Sequence, residues 1–216
     1  MTTNNDLIRL YGLASFDRGA KARWLLTEMG VKFEDHWLDR DKKEQESPAF
    51  LKLNPMGRVP VAEIGDQVLF ESGAICAYLA DLHLDKGMAP ALSAPERAEY
   101  QKWMYFASAT VDAIQGKIMI IEDIPPGEVH TAKEKALQEE LRDSLEALDQ
   151  VLSKSSFLVG NRFGAADICV SYQLFWLGLW PELKLVMDAF PRVGAYIDRM
   201  VARPVAQSAK VFNYKG

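Results

Sequence analysis

Two stretches decide how the first half of this chain folds: Asn54-Pro55-Met56-Gly57-Arg58-Val59-Pro60-Val61, and, a short hairpin later, Leu69-Phe70-Glu71-Ser72-Gly73-Ala74-Ile75-Cys76-Ala77-Tyr78-Leu79. A proline at the head of a strand cannot donate a ladder hydrogen bond, so Pro60 belongs at an edge or a bend. A cis Val59–Pro60 bond would turn the Val59 backbone outward, where its amide and carbonyl can pair with an extended peptide as an added strand does. The competing reading is an ordinary trans proline at an edge, because only about 5–6% of X-Pro bonds are cis. Ser72 reads as the cap of a helix whose apolar residues Ile75, Tyr78, Leu79 and Leu82 recur at helical spacing. The free amides and positive dipole end there suit a carboxylate, and a plain structural cap is the alternative.

Upstream, Leu7 to Tyr11 reads as a strand, Ala20 to Met29 as a helix stopped by Gly30, and Val31 to Leu38 as a second strand parallel to the first. Ser47 to Pro55 reads as a short helix bounded by prolines, and Val59–Ile64 with Gln67–Phe70 as a hairpin turning at Gly65-Asp66. The order β-α-β then β-β-α is thioredoxin-like. Between Leu84 and Pro95 the composition shifts to Gly, Pro, Ala and Ser, which sets expected bounds of 1–84 for the first domain, 85–95 for a linker and 96–216 for an all-helical domain. In that second domain Tyr100, Trp103, Met104, Ala107, Val111, Ile114 and Ile118 form one apolar stripe and Leu137, Leu141, Leu145, Leu148 and Leu152 another. A further helix is expected from Ala165 through Trp176, and a last one from Pro191 to Arg203.

With 25 basic and 30 acidic residues the formal charge is −5, which gives no electrostatic reason to expect nucleic acid or an anionic membrane as partner. Met1 to Asp6 lacks the basic flank and apolar core of a secretory signal, and no apolar run is long enough to span a bilayer, so a cytoplasmic location is the expectation. The two cysteines, Cys76 and Cys169, form neither a CxxC pair nor part of a metal-ligand cluster. They read as small core residues, and no metal is expected.

The Asn54–Val61 and Leu69–Leu79 stretches resemble the glutathione-binding segment of the cytosolic glutathione transferases. Leu10-Tyr11-Gly12, Ala22-Arg23-Trp24-Leu25-Leu26 and Phe157-Leu158-Val159-Gly160-Asn161-Arg162-Phe163-Gly164-Ala165-Ala166-Asp167-Ile168 extend the resemblance over nearly the whole chain. It implies a thioredoxin-like N-terminal domain and an all-α C-terminal domain, with glutathione as co-substrate, a hydrophobic electrophile as second substrate, and a homodimer. The Val59 backbone, held by cis Pro60, would pair with the cysteinyl unit, and Glu71 and Ser72 would hold the γ-glutamyl end. Arg58 is a candidate cation for a glutathione carboxylate, with simple solvation as its competing reading. At Gly164 the family usually carries Ser or Thr, forming a reciprocal cap with the residue matching Asp167; glycine is a tolerable substitute, and Asp167 reads as structural.

Glutathione chemistry needs a donor to sulfur. A free thiol has a pKa of about 8.5, and lowering it by roughly two units takes about 2.7 kcal/mol of thiolate stabilisation. Ser15, between the first strand and first helix, is the leading candidate and Tyr11, at the strand end, its competitor; Ser15 and Asp17 read nearly as well as caps of the first helix. Tyr105, Phe106, Thr110 and Trp176 are candidates for the electrophile pocket, each with core packing as the alternative. Three functions stay open: conjugation to electrophiles, another glutathione-dependent reaction such as peroxide reduction, isomerisation or reductive cleavage, and a non-catalytic binding module of the same fold.

Overall fold

Alternation along β1 (Ile8–Gly12) sends Ile8 and Leu10 into the core and leaves Arg9 and Tyr11 half-buried on the opposite face. The structure, a computed structural model, describes residues 7–14 and 16–213. Among these, β2 (Glu34–Trp37), β3 (Val61–Ile64) and β4 (Gln67–Phe70) join β1 in one sheet of order β2-β1-β3-β4. β2 runs parallel to β1, and the other pairings are antiparallel, which is the mixed thioredoxin-like sheet expected. Helix α1 (Ala20–Met29) connects β1 to β2 and ends on Gly30, whose φ of 67° lets its amide reach back to Leu26 and Thr27. Helix α2 (Ser72–Leu82) packs on α1 and on β3 and β4 through Ile75, Cys76 and Leu79, all buried.

The second unit is helical. α3 (Arg97–Tyr105) runs into a π-helical turn at Phe106–Val111 and then α4 (Asp112–Glu122), and the stripe from Tyr100 to Ile118 is buried along its length. α5 (Glu128–Leu152) buries its leucine stripe while Lys133, Lys135, Glu139 and Arg142 stay exposed. α6 (Ala165–Leu177) is buried on nearly every side, as a helix apolar all round must be, and α3, α4 and α8 (Pro191–Val201) pack against it. Asp167, fully buried, ties its start together. Its carboxylate accepts the amides of Gly164 and Leu158 at 3.0 Å each and the Tyr196 hydroxyl at 3.0 Å. Burial, reinforced by the Asp167 charge, raises the Tyr196 phenol well above its usual pKa. Cys76 and Cys169 are both buried.

Several expectations shift. Ser47–Pro55 holds a single 3₁₀ turn at Phe50–Lys52, preceded by another at Glu44–Glu46, rather than one continuous helix. A short helix α7 (Pro181–Met187), with Pro181 at its first position, was not anticipated. The final helix stops at Val201, because a residue before proline is pushed out of the helical region, and Arg203 is extended at ψ 130° ahead of α9 (Pro204–Ser208). The chain divides into one compact unit of Met1–Leu92 with Ala202–Gly216 and another of Ser93–Val201. The C-terminal segment, read from sequence as part of the helical domain, thus packs with the N-terminal one. Arg203 makes a bidentate pair with Glu28 at 2.8 and 2.9 Å, Trp24 donates to the same carboxylate at 2.9 Å, and Phe212 lies edge-on to Trp24 with ring centroids 5.3 Å apart.

Candidate functional site

The register of the sheet brings three connections to one end. Tyr11 pairs with Val61 and Val61 with Phe70, so the loop after β1, the residues before β3 and the residues after β4 leave the sheet together. Before β3, the buried Asn54 side chain shapes the turn, donating to the Arg58 carbonyl at 2.7 Å and accepting the Met56 amide at 3.1 Å. Gly57 sits at φ 61°, and a side chain there would also crowd the Gln45 carbonyl. The Val59–Pro60 bond is cis, Pro60 is buried, and Arg58 is exposed. The Val59 amide and carbonyl lie outside β3 and pair with no other described backbone group.

After β4, Glu71 adopts φ 71° and ψ 109°, a left-handed conformation uncommon for a residue with a side chain. Glu71, not Ser72, occupies the cap position, and no side chain among the described residues caps the helix. Ser72 is its first residue and is 5% exposed. This corrects the reading of Ser72 as a cap: the helix begins one residue earlier than that reading assumed. The consequence for chemistry is favourable, since the first-turn amides of α2 are left without a side-chain acceptor at the positive end of the helix dipole.

The loop after β1 is organised by Asp17. Its carboxylate accepts the amides of Leu13 and Gly19 at 2.7 Å each and of Ala14 at 3.3 Å. Asp17 therefore caps the loop rather than the helix, whose cap position is Gly19. Arg23, reaching up from α1, donates from Nε to Asp35 at 2.8 Å and from Nη1 toward Asp17 and the Ala14 carbonyl at 3.4 Å each, with its guanidinium 4.1 Å from the Trp37 ring centre. Sequence reading missed this cluster. Its signal was a short run of Asp, Gly and Arg between strand and helix, which spacing alone does not separate from an ordinary loop.

Of the two candidate thiol donors, Ser15 lies outside the described residues. The Tyr11 ring stacks on His36 with centroids 5.0 Å apart and meets Phe50 edge-on at 6.0 Å, and its hydroxyl donates to the Glu63 carboxylate. Burial first, then the hydrogen bond and negative charge of Glu63, push the phenol up to about 12. In the helical unit, Tyr105 is 69% exposed, Phe106 and Thr110 are half-buried in the π-helical turn, and Trp176 packs on Tyr172 and Phe175. No group of His, Cys, Asp and Glu side chains among the described residues has the arrangement to hold a metal ion, and none of the described helices is long and apolar enough to cross a membrane.

Comparison with known proteins follows the same division of the chain. The profile of the glutathione S-transferase N-terminal domain matches residues 7–81 and that of the glutathione S-transferase C-terminal domain residues 100–199. A glutathione S-transferase of Hyoscyamus muticus is 28% identical over 212 residues, which cover 96% of this chain and 99% of that protein. The probable elongation factor 1-gamma 2 of Arabidopsis thaliana is 32% identical over 189 residues, or 87% of this chain and 45% of that protein. The chain thus spans less than half the length of its elongation factor relatives. A solved glutathione transferase family member from Pseudomonas fluorescens, with two glutathione bound, superposes with a TM-score of 0.81 at 26% identity over 94% of this chain and 91% of that one. With the thioredoxin-like sheet, the helical unit and the matched profiles in agreement, this chain belongs to the glutathione transferase family.

Proposed function

We propose that the chain is a glutathione transferase that holds glutathione on its N-terminal unit and activates the thiol for attack on hydrophobic electrophiles. One observation carries the reading: the Val59 backbone and the start of α2 at Glu71–Ser72, the first unpaired with other backbone and the second uncapped by a side chain among the described residues, leave the same end of the sheet as the loop after β1. Val59 would pair with the cysteinyl unit as an added strand. The amides opening α2 suit the γ-glutamyl carboxylate, the Glu71 carboxylate suits its ammonium group, and exposed Arg58 is free to take the glycine carboxylate. Sulfur then faces the loop after β1, which carries Ser15. We assign the donor role to that loop rather than to Tyr11, since a hydroxyl already committed to Glu63 and ionising near 12 is a poor stabiliser of a thiolate.

Tyr105, Phe106, Thr110 and Trp176 are the candidates to receive the electrophile, and a π-helical turn at Phe106–Val111 is a recurrent feature of functional sites. The reading also carries a cytoplasmic homodimer, without metal, nucleic acid or membrane among its partners. A second reading, a glutathione-transferase-like module without catalysis, is favoured by the elongation factor 1-gamma relatives. Titration calorimetry with glutathione, followed by conjugation assays with an aryl halide and an electrophile panel, separates the two. Binding with turnover supports the enzyme, whereas binding without turnover on any electrophile, peroxide or disulfide supports the module.

A further inference from the structure

Arg23 is 5% exposed beneath the loop after β1, yet its Nη2 has no hydrogen-bond partner among the described residues. A guanidinium stays charged at any accessible pH, and leaving one of its donors unpaired in a low-dielectric site is costly, so an orphan of this kind calls for an explanation. The position of Nη2 supplies one. A Cβ built on Gly12 would collide with it and stand 2.8 Å from Asp17 Oδ2, and a Cβ on Gly19 would lie 3.4 Å from Nη2 and 3.2 Å from the Pro60 ring. The orphan nitrogen therefore sits between the two glycines that bound the loop, next to the wall formed by Pro60. The charged groups facing the guanidinium are Asp17 from the loop and Asp35 from β2, while Pro60 adds an apolar surface from the β3 side.

Asp17 gathers three loop amides, and this fixes the loop at the expense of placing a carboxylate beside the position assigned to sulfur. Asp35 adds a second negative charge. Two carboxylates near a thiol oppose its ionisation, and a permanent cation between them offsets that opposition. We infer that Arg23 is the electrostatic positioning residue of the thiol site, bracing the loop through Asp17 and supplying the positive charge that keeps a thiolate favourable over it. The inference rests on the glutathione-binding reading above.

The test uses the full chain with three variants, Arg23→Gln, Arg23→Lys and Asp35→Asn. It measures glutathione affinity by calorimetry, the apparent pKa of the bound thiol from thiolate ultraviolet absorbance against pH, and thermal unfolding. Arg23→Gln is expected to raise the bound thiol pKa by about one unit, a tenfold loss of thiolate at fixed pH below the pKa, with affinity changed by less than about threefold. Asp35→Asn, which removes a negative charge from the same cluster, is expected to lower it, and Arg23→Lys to leave it near the wild-type value. A purely structural ion pair predicts the opposite grouping, with Arg23→Gln and Asp35→Asn moving alike because each breaks the same contact. Shifts in the same direction, or no shift in a wild-type-like binder, overturn the inference. If Arg23→Gln fails to fold, Asp35→Asn and Arg23→Lys decide by the same criterion. Absence of glutathione binding by the wild-type chain removes the underlying reading and this one with it.

Discussion

Replacing Tyr11 with Phe separates a thiol donor from a structural phenol. The substitution deletes one hydroxyl and leaves the stacking on His36 and the edge contact with Phe50 in place. What is lost is a hydrogen bond to a carboxylate, worth about 1.5–3 kcal/mol when buried, and less here because both Tyr11 and Glu63 keep partial contact with solvent. A loss of about 1–2 kcal/mol is expected, lowering the thermal midpoint by roughly 2–8 °C for a chain of this size. Had the hydroxyl stabilised the thiolate, its removal would raise the barrier by roughly 2.7–4 kcal/mol, the magnitude seen when one dedicated oxyanion donor is deleted, or a 10²–10³-fold fall in rate. The assay is steady-state conjugation of glutathione to an aryl halide, with kcat/KM measured across pH, alongside thermal unfolding followed by circular dichroism. We expect kcat/KM within about threefold of wild type and an unmoved pH profile, since a phenol that ionises near 12 contributes no titration in the working range. A hundredfold loss with unchanged stability would refute the assignment of the donor role to the loop after β1.

Three further outcomes follow from the packing. Asp167→Ala leaves the amides of Leu158 and Gly164 and the Tyr196 hydroxyl without their buried acceptor; a cost of about 3–5 kcal/mol is expected by denaturant unfolding, and the loss should be strongly non-additive with Tyr196→Phe. Arg203→Ala strips Glu28 of its bidentate partner and should cost about 2–3 kcal/mol, accompanied by a change in Trp24 fluorescence as the C-terminal segment loosens from α1. His83 is 3% exposed, its Nε2 has no hydrogen-bond partner among the described residues, and burial lowers its pKa below the ordinary value. The unfolded chain therefore binds more protons between the folded and unfolded pKa values. The contribution of neutral His83 is present above about pH 6.5 and declines as pH falls below it, so His83→Gln should flatten the acid limb of stability measured from pH 7 to 5.

The elements most legible in the sequence were those set by local chemistry. Gly30 ended α1 where a left-handed residue was needed, and the two apolar stripes at helical spacing marked the buried faces of α3 to α5. The Val-Pro and Glu-Ser pairs fall at one end of the sheet, although spacing alone left cis and trans Pro60 open. What spacing did not disclose depended on contacts between distant residues or on backbone geometry. Glu28 and Arg203 lie 175 residues apart, so nothing local announced that the C-terminal segment returns to α1. The displacement of the α2 cap from Ser72 to a left-handed Glu71 and the π-helical turn at Phe106 both depart from what ordinary propensities favour. Tyr11 was ambiguous for a related reason: its partner Glu63 sits on another strand, and only the register reveals whether the hydroxyl is occupied.

The most direct test of the central claim is titration calorimetry of the wild-type chain with glutathione, beside a Glu71→Gln, Ser72→Ala double variant that leaves the fold intact by circular dichroism. We expect one-to-one or higher binding by the wild type and at least a tenfold weaker affinity in the variant. No heat of binding in the wild type, or equal affinity in both proteins, would contradict it.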